Sequence, residues 1–381
     1  MERAELMAVL RATGCLERRG GYFFLRDPQS KPIGNVEAVL AMRVDGGGLA
    51  PGDVNLGWLG VATGGTSGQV KWARHDEQTL SAAVRGFGAH FQMERVNAVD
   101  VLPPFHVSGL MARVRCAATG GAHLPWAWKQ LEAGDVPRLP AAADGWVISL
   151  VPTQLQRLLR WPALVAWLRG FRLILLGGGP VWPTLAEAAG RAELRIALSY
   201  GMTETAAMVT ALLPEAFLAG ERSNGRALPH AAVRVDEDGL LRVAGASLFR
   251  GYFPEEWVGR EFVTEDFGQI DAQGQVWVHG RRDTVIITGG KKVLPAEVEA
   301  ALLASGELSD VVVLGVRDAE WGEVVVACYP TESGRAPDLG RAVVGLAAYQ
   351  RPKRWRGLAV WPRNVHGKIN RAALREQWEG T

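Results

Sequence analysis

Apolar positions along the chain fall into two alternating kinds of stretch. At helical spacing, Leu6, Val9 and Leu10 predict a short opening helix, a second helix is expected over Val36 to Met42, and Asp76 to Phe87 turns Leu80, Ala83, Val84 and Phe87 to one side. Short apolar runs predict buried strands at Trp58-Leu59-Gly60-Val61, Ala98 to Leu102, Trp146 to Val151, Phe171 to Leu176, Val311 to Val316 and Val324 to Cys328. A hairpin is expected around Arg19-Gly20-Gly21, and the alternating stretches Ala232 to Val235 and Leu240 to Ala244 predict a small antiparallel barrel or sheet. Helices start at Pro152 and Pro295, because proline presets a helical φ and lacks only an N–H that the first turn leaves unbonded. On this reading the stretch from Thr63 to Lys71 joins the strand ending at Val61 to the helix starting at Asp76.

Composition narrows the picture. The 381 residues suit two or three domains, at about 100 to 200 residues each. With 42 Lys+Arg against 40 Asp+Glu, nothing global favours nucleic acid or an anionic membrane. Cys15, Cys116 and Cys328 lie far apart without metal-ligand or disulfide spacing, which suits a reducing compartment. The N-terminus carries acidic groups and no apolar run of signal-peptide length. No later run reaches the roughly 18 apolar residues of a membrane span, so a soluble cytoplasmic protein is expected. The 46 glycines, 20 prolines and 14 tryptophans show no period, so the chain reads as globular and rich in loops, without internal repeats.

The densest candidate chemistry is Thr63-Gly64-Gly65-Thr66-Ser67-Gly68-Gln69-Val70-Lys71. Glycines let backbone N–H groups approach an anion, hydroxyls donate to phosphate oxygens, and the lysine adds a point charge. Trp72 stands where a Walker loop needs Ser or Thr, so the stretch is not a Walker loop. Standing alone, a Gly/Ser/Thr cluster is more often a plain turn. The same holds for the other marked stretches. His106, before a helix, reads as a capping or satisfied core residue; Tyr200-Gly201-Met202-Thr203-Glu204 reads as a strand and a turn; Thr264-Glu265-Asp266-Phe267-Gly268 reads as a solvated acidic turn; Lys368 reads as a solvated lysine in a glycine turn.

Their order changes those readings. The loop resembles the [ST]-S-G-[ST]-T-G-x-P-K loop of the adenylate-forming superfamily, which includes acyl-CoA ligases, luciferases and peptide-synthetase adenylation domains, with Gly64 in place of Ser and Val70 in place of Pro. After it come Pro103-Pro104-Phe105-His106-Val107-Ser108-Gly109, then Gly177-Gly178-Gly179-Pro180, then the Y-G-x-T-E stretch, then the likeness of T-G-D-x-G with Glu265 replacing the glycine. Gly280-Arg281-Arg282-Asp283, Gly289-Gly290-Lys291-Lys292-Val293-Leu294-Pro295-Ala296-Glu297-Val298-Glu299 and Pro362 to Arg371 with Gly367-Lys368-Ile369 complete the series over residues 61 to 371. Ser149 to Leu159 and the doubled glycine at Gly289-Gly290 are similar to one branch, the o-succinylbenzoate-CoA ligases of menaquinone and phylloquinone synthesis.

The resemblance implies a fold of mixed α/β and α+β class: a large N-terminal domain, residues 1 to 282, of packed mixed sheets with helices and a shortened first subdomain, and a small mobile α+β C-terminal domain, residues 283 to 381. It implies ATP, Mg²⁺ and CoA. Thr63, Gly65, Thr66, Ser67, Gly68 and Lys71 would hold the phosphates, Gly178 and Gly179 would lie beside adenine and the acyl group, and Tyr200, Gly201 and Met202 would line the nucleotide with Tyr200 stacked on adenine. Asp266 would accept from the ribose hydroxyls and Arg281 would reach ribose or phosphate. Thr203 would donate to the α-phosphate, Glu204 would hold Mg²⁺ through oxygen, and Lys368 would be the catalytic lysine. His106, Thr153, Gln154, Arg157 and Gly178 would meet the acyl substrate, Asp283 would be the hinge, and Gly290 would border the CoA channel. A homodimer is compatible with this picture. Another acyl- or aryl-CoA ligase, an adenylation domain loading a separate carrier, and a catalytically inactive nucleotide-binding paralogue stay open as alternatives.

Overall fold

The structure of the protein, a computed structural model, describes residues 1–19, 21–29, 57–63, 70–140, 145–255, 259–331, 336–362 and 371–379. The helix expected over Val36 to Met42, the loop residues Gly65, Thr66, Ser67 and Gly68, and Lys368 lie outside the described residues.

Four sheets carry the chain. The first joins β1 (Leu16–Arg19), β2 (Tyr22–Leu25), β3 (Leu59–Ala62) and β4 (Trp72–His75) in that order, with β2 and β3 parallel and the other pairs antiparallel. The expected hairpin is the β1–β2 pair, closed at Arg19 opposite Tyr22. The expectation that the phosphate loop joins a strand directly to a helix is corrected here. β3 turns back into β4, Thr63 N–H donates to the Lys71 carbonyl at 2.9 Å, and only then does the helix Glu77–Phe91 begin. The loop is therefore the tip of a β-hairpin. Its stem is rigid, since Val61, Ala73, Arg74 and His75 are all buried, and Asp76 caps the helix by accepting from Gln78 and Thr79 N–H.

The second sheet is the frame of the site. Its strands are β5 (Asn97–Asp100), β6 (His123–Pro125), β7 (Trp146–Leu150), β8 (Leu173–Leu176), β9 (Ile196–Met202), β10 (Ala207–Ala211) and β11 (Arg226–Ala227), in the order β11-β10-β9-β8-β7-β5-β6. From β6 to β9 every pair is parallel, and β10 and β11 run antiparallel at one edge. Parallel strands are covered on both faces, which explains their unbroken apolar runs. Ile148, Ile174, Leu176 and Ile196 enter a core with Leu155, Leu158, Leu164 and Phe171, while Val147, Leu173, Leu175 and Ala197 enter another with Phe87, Phe91 and Cys116. Period-two alternation thus sorts one run into two cores.

The third sheet, β12 (Ala231–Val235), β13 (Leu240–Gly245), β14 (Glu261–Ile270) and β15 (Val276–Arg281), is an open antiparallel meander. Thr264 to Gly268 lies inside β14 and is not a solvated acidic turn; Thr264 and Asp266 are buried against the neighbouring strands. The turn Arg282–Thr284 then leads into the fourth sheet, of β16 (Ile286–Thr288), β17 (Lys291–Val293), β18 (Val312–Asp318), β19 (Gly322–Pro330) and β20 (Arg354–Leu358). The helix Pro295–Ala304 packs one face of this sheet through Val298 and Leu302, and Leu374 and Trp378 of the last helix pack the other. Among the described residues no helix is long and apolar enough to cross a membrane.

Candidate active site

The C-terminal ends of the parallel strands converge with the hairpin stem, as expected for ligand sites in open α/β sheets. At the end of β9 the chain makes a 3-10 turn, Thr203–Thr205, and reverses into β10 through Ala206 and Ala207, both left-handed at φ 54° and 82°. Two successive non-glycine residues in that region store strain, and strain concentrates where geometry matters for function. Gly201 is required by the same reversal, because a Cβ there would stand 2.0 Å from the Ala207 carbonyl oxygen. Three bonds fix the turn from outside. The His75 ring nitrogen Nε2 meets the Thr203 carbonyl at 2.7 Å, Phe249 N–H donates to the Glu204 carbonyl at 2.8 Å, and the Tyr252 hydroxyl donates to Glu204 Oε1 at 2.6 Å. His75 is fully buried, and burial pushes its pKa down to about 4, so the ring is neutral and donates through Nε2.

Tyr200 and Asp266, far apart in sequence, meet here. The Tyr200 hydroxyl donates to Asp266 Oδ2 at 2.8 Å, and Arg281 lies 3.7 Å from Asp266 Oδ1. Burial raises the Asp266 pKa, against the Tyr200 bond and the Arg281 charge. Burial and then the neighbouring Asp266 carboxylate hold the Tyr200 phenol well above its ordinary value, so it stays a donor. Arg281 itself makes a two-pronged pair with Asp283, both contacts at 2.9 Å, and Arg282 makes a second with Glu265 at 2.8 and 2.6 Å. Glu265, the residue that departs from the family motif, therefore has a partner next to the expected hinge.

On the acyl side, His106 precedes the helix Val107–Ala118 and its ring lies 4.9 Å from that of Phe105. Gly109 passes so close to the chain at Pro103 that a Cβ would stand 2.3 Å from the carbonyl oxygen, which is why the F-H-x-x-G stretch needs glycine there. Gly178, at φ 78°, faces Val151, and Gly179 is open. Gln154 and Arg157 lie on the helix Pro152–Leu158, yet their side chains have partners within the protein: Gln154 Oε1 accepts from Val151 N–H at 3.0 Å, and Arg157 donates to Glu132 at 2.7 Å. That pair is about as exposed on both sides, 39% and 38%, so opening it toward a substrate costs no more than about 1 kcal/mol. Gly290 sits at the open tip of the β16–β17 hairpin at φ 74°.

Two contributors had no sequence signal. His75 and Tyr252 belong to no motif of the series, and each is visible only once β4, the 203–205 turn and the segment 250–253 are brought together. In Trp72-Ala73-Arg74-His75 the neighbouring Arg74 is polar as well, so the local sequence does not single out His75. Among the described residues no group of three or more His, Cys, Asp or Glu could hold a metal ion. Glu204 fits a different mode. Its Oε2 takes no hydrogen bond among the described residues, and a hard cation that keeps its waters is held by one or two carboxylates together with substrate phosphates.

A parallel sheet whose strand ends bring together the Tyr200–Asp266 pair and the strained Thr203–Thr205 turn, followed by a separate small sheet beyond a charged turn, matches the arrangement that the resemblance to adenylate-forming enzymes implies. Comparison with known proteins agrees: residues 62–253 match the AMP-binding enzyme family and residues 297–368 its C-terminal domain. The 2-succinylbenzoate–CoA ligase of Listeria innocua is 30% identical over 293 residues, covering 74% of this chain and 62% of that enzyme; that of Bacillus licheniformis is 31% identical over 338 residues, covering 82% and 68%. The solved o-succinylbenzoate CoA synthetase of Bacillus subtilis, in complex with the acyl-adenylate intermediate OSB-AMP, superposes with a TM-score of 0.73 at 26% identity over 84% of this chain and 69% of that one. The chain belongs to the AMP-binding enzyme family. It spans 62% to 68% of the length of these curated relatives.

Proposed function

We propose that the chain is an ATP-dependent, AMP-forming ligase that activates o-succinylbenzoate to an acyl adenylate and passes the acyl group to CoA, in menaquinone or phylloquinone synthesis. The likeness to 2-succinylbenzoate–CoA ligases supports the substrate, and the Thr203–Glu204 turn beside the Tyr200–Asp266 pair is the observation that carries the chemistry. In the first half-reaction a substrate carboxylate oxygen attacks the α-phosphorus and pyrophosphate leaves; in the second the CoA thiol attacks the acyl carbon, losing its proton, and AMP leaves. Catalysis of the first step is positioning and charge neutralisation. Thr203 would donate to the α-phosphate, Lys368 and Lys71 would supply positive charge, and Asp266 would accept from ribose. Mg²⁺, held by Glu204, would neutralise phosphate oxygens.

The two-domain reading places the boundary between residues 282 and 283, with Asp283 as hinge and Gly290 beside the CoA channel; the change of sheet across the Arg282–Thr284 turn supports it. Three free, buried thiols support a reducing, cytoplasmic home, and a homodimer is testable by sedimentation. The deciding experiment is pyrophosphate release across a panel of acids. o-Succinylbenzoate turning over well ahead of benzoate and medium-chain fatty acids is the expected result. Equal turnover of benzoate would leave a general aryl-CoA ligase, and no release with any acid would sink the enzyme reading.

A further inference from the structure

We propose that Tyr252 is a positioning residue for nucleotide activation, aiming the Glu204 carboxylate and linking it to the phosphate-loop lysine Lys71; the proposal rests on the nucleotide-activating reading of this site. One phenol touches both groups. Its hydroxyl donates to Glu204 Oε1 at 2.6 Å, and Lys71 Nζ stands 5.1 Å from the centre of its ring. Donation to Oε1 leaves Oε2 as the carboxylate's other acceptor and restricts its rotation. The ring in turn holds the lysine over its negative face, where a cation is attracted by the quadrupole.

Tyr252 can do this because its own backbone is fixed by the hairpin stem. Arg250 N–H donates to the Arg74 carbonyl at 2.8 Å, Arg74 N–H to the Gly251 carbonyl at 2.9 Å, and Phe253 N–H to the Trp72 carbonyl at 2.8 Å. Arg250 adds an ion pair at 2.8 Å to Asp76, the cap of the following helix. The segment 250–253 thus lies against β4 through an isolated antiparallel bridge between Tyr252 and Ala73, and β4 is the continuation of the phosphate loop. From its other side Phe249 packs edge-on against Tyr252 at 4.9 Å and, through its N–H, binds the Glu204 carbonyl. The lysine at the end of the loop and the carboxylate of the turn, 133 positions apart in the chain by their numbers 71 and 204, are registered through this one side chain.

Hydrogen-bond partners behind a metal-binding carboxylate orient it, and their loss weakens metal affinity by roughly 10- to 100-fold. Calorimetry of nucleotide binding tests the assignment. Tyr252→Phe keeps the ring, the Phe249 contact and the lysine site while deleting the hydroxyl, so it should weaken binding of Mg·ATP by about tenfold or more and leave metal-free ATP, AMP and the melting temperature unchanged. In a Glu204→Gln background the same change should add nothing further, since the carboxylate that the hydroxyl aims at the cation is already gone. Unchanged Mg·ATP affinity in Tyr252→Phe overturns the proposal, and so does an equal loss for AMP, which would make the residue merely structural. An unsubstituted chain whose ATP affinity ignores Mg²⁺ overturns the nucleotide-activating reading itself, and the proposal with it.

Discussion

Two three-residue turns of the same 3-10 type stand at opposite ends of the candidate mechanism and are held in opposite ways. Thr203–Thr205 is fixed by bonds inside the protein: a fully buried neutral His75, the Phe249 amide and the Tyr252 phenol, with two left-handed alanines closing it. Arg282–Thr284 is fixed by charged pairs at the surface, with Arg281, Arg282 and Glu265 each at least 40% exposed. A buried group that loses its partner stays unpaired, whereas an exposed one is rehydrated. The first turn therefore keeps one shape and the second can be taken apart and remade. That is the division the proposed two-step ligase would need, with a fixed nucleotide site and a small domain that turns.

The largest effect should come from the side proposed to move. If Lys368 serves only while the small domain is closed for adenylation, Lys368→Ala should lower adenylate formation by about 10²- to 10³-fold, as for loss of a group that meets developing charge. A supplied acyl adenylate should still react with CoA at the ordinary rate. Equal loss in both half-reactions, measured in single turnovers, would break the division.

Next in size is Asp283→Pro. Proline fixes φ near about −65° and also ends the two-pronged bond to Arg281. Pyrophosphate release in a single turnover should survive and CoA transfer should fall steeply; normal overall turnover would show that residue 283 is no hinge.

The fixed turn makes a prediction about acid. His75 titrates near 6.5 when unfolded and about 4 when folded, so the unfolded chain binds the extra proton first. Stability contributed by the neutral ring is whole above pH 6.5 and is lost as pH falls toward about 4, at no more than about 1.4 kcal/mol per unit. His90 and His230 are shifted down as well, by burial, and add to the slope. His75→Gln keeps a donor for the Thr203 carbonyl but cannot titrate, so denaturant midpoints should depend less on pH while adenylation at neutral pH is largely kept. His75→Ala should lose both, leaving a buried carbonyl unpaired at about 1 to 3 kcal/mol. An acid slope unchanged in both variants would remove His75 from the account.

What could be read from the chain alone follows from how local each feature is. The parallel strands Trp146–Leu150 and Leu173–Leu176 were legible because both their faces are covered and their apolar runs are unbroken. The helix Glu77–Phe91 was legible from its apolar stripe, though it continues one turn past Phe87. β4 was not, since Arg74 and His75 are polar in sequence and buried in fact, each bonded to a partner far along the chain: Arg74 donates through one guanidinium N–H to the Arg250 carbonyl at 2.8 Å. Asp266 was found as a motif residue; that it lies within a strand and not in a solvated acidic turn was not legible, because the partners that make a strand of Glu261–Ile270 lie on β13 and β15. Tyr200, Thr203 and Glu204 were found through motif order; Tyr252 and His75, which hold them, carry no such order and appear only with the fold.

The smallest effect tests the movable turn directly. Glu265 stands where the resembled motif has glycine, and its carboxylate pairs with Arg282 through two contacts at 2.8 and 2.6 Å. Arg282 precedes the expected hinge, so the pair ties the residue after β15 to β14 on the near side of Asp283, the proposed pivot. Because Arg282 is exposed, water and salt replace the carboxylate readily, and the pair cannot act as a strong lock. Glu265→Gly should leave the melting temperature unchanged and shift the ratio of CoA transfer to adenylation by less than about fivefold. Added salt should produce the same shift in the parent chain and none in the variant. A salt-insensitive parent, or a variant that melts well below it, would mean that this turn is held as firmly as Thr203–Thr205 and that the contrast between the two does not mark which part moves.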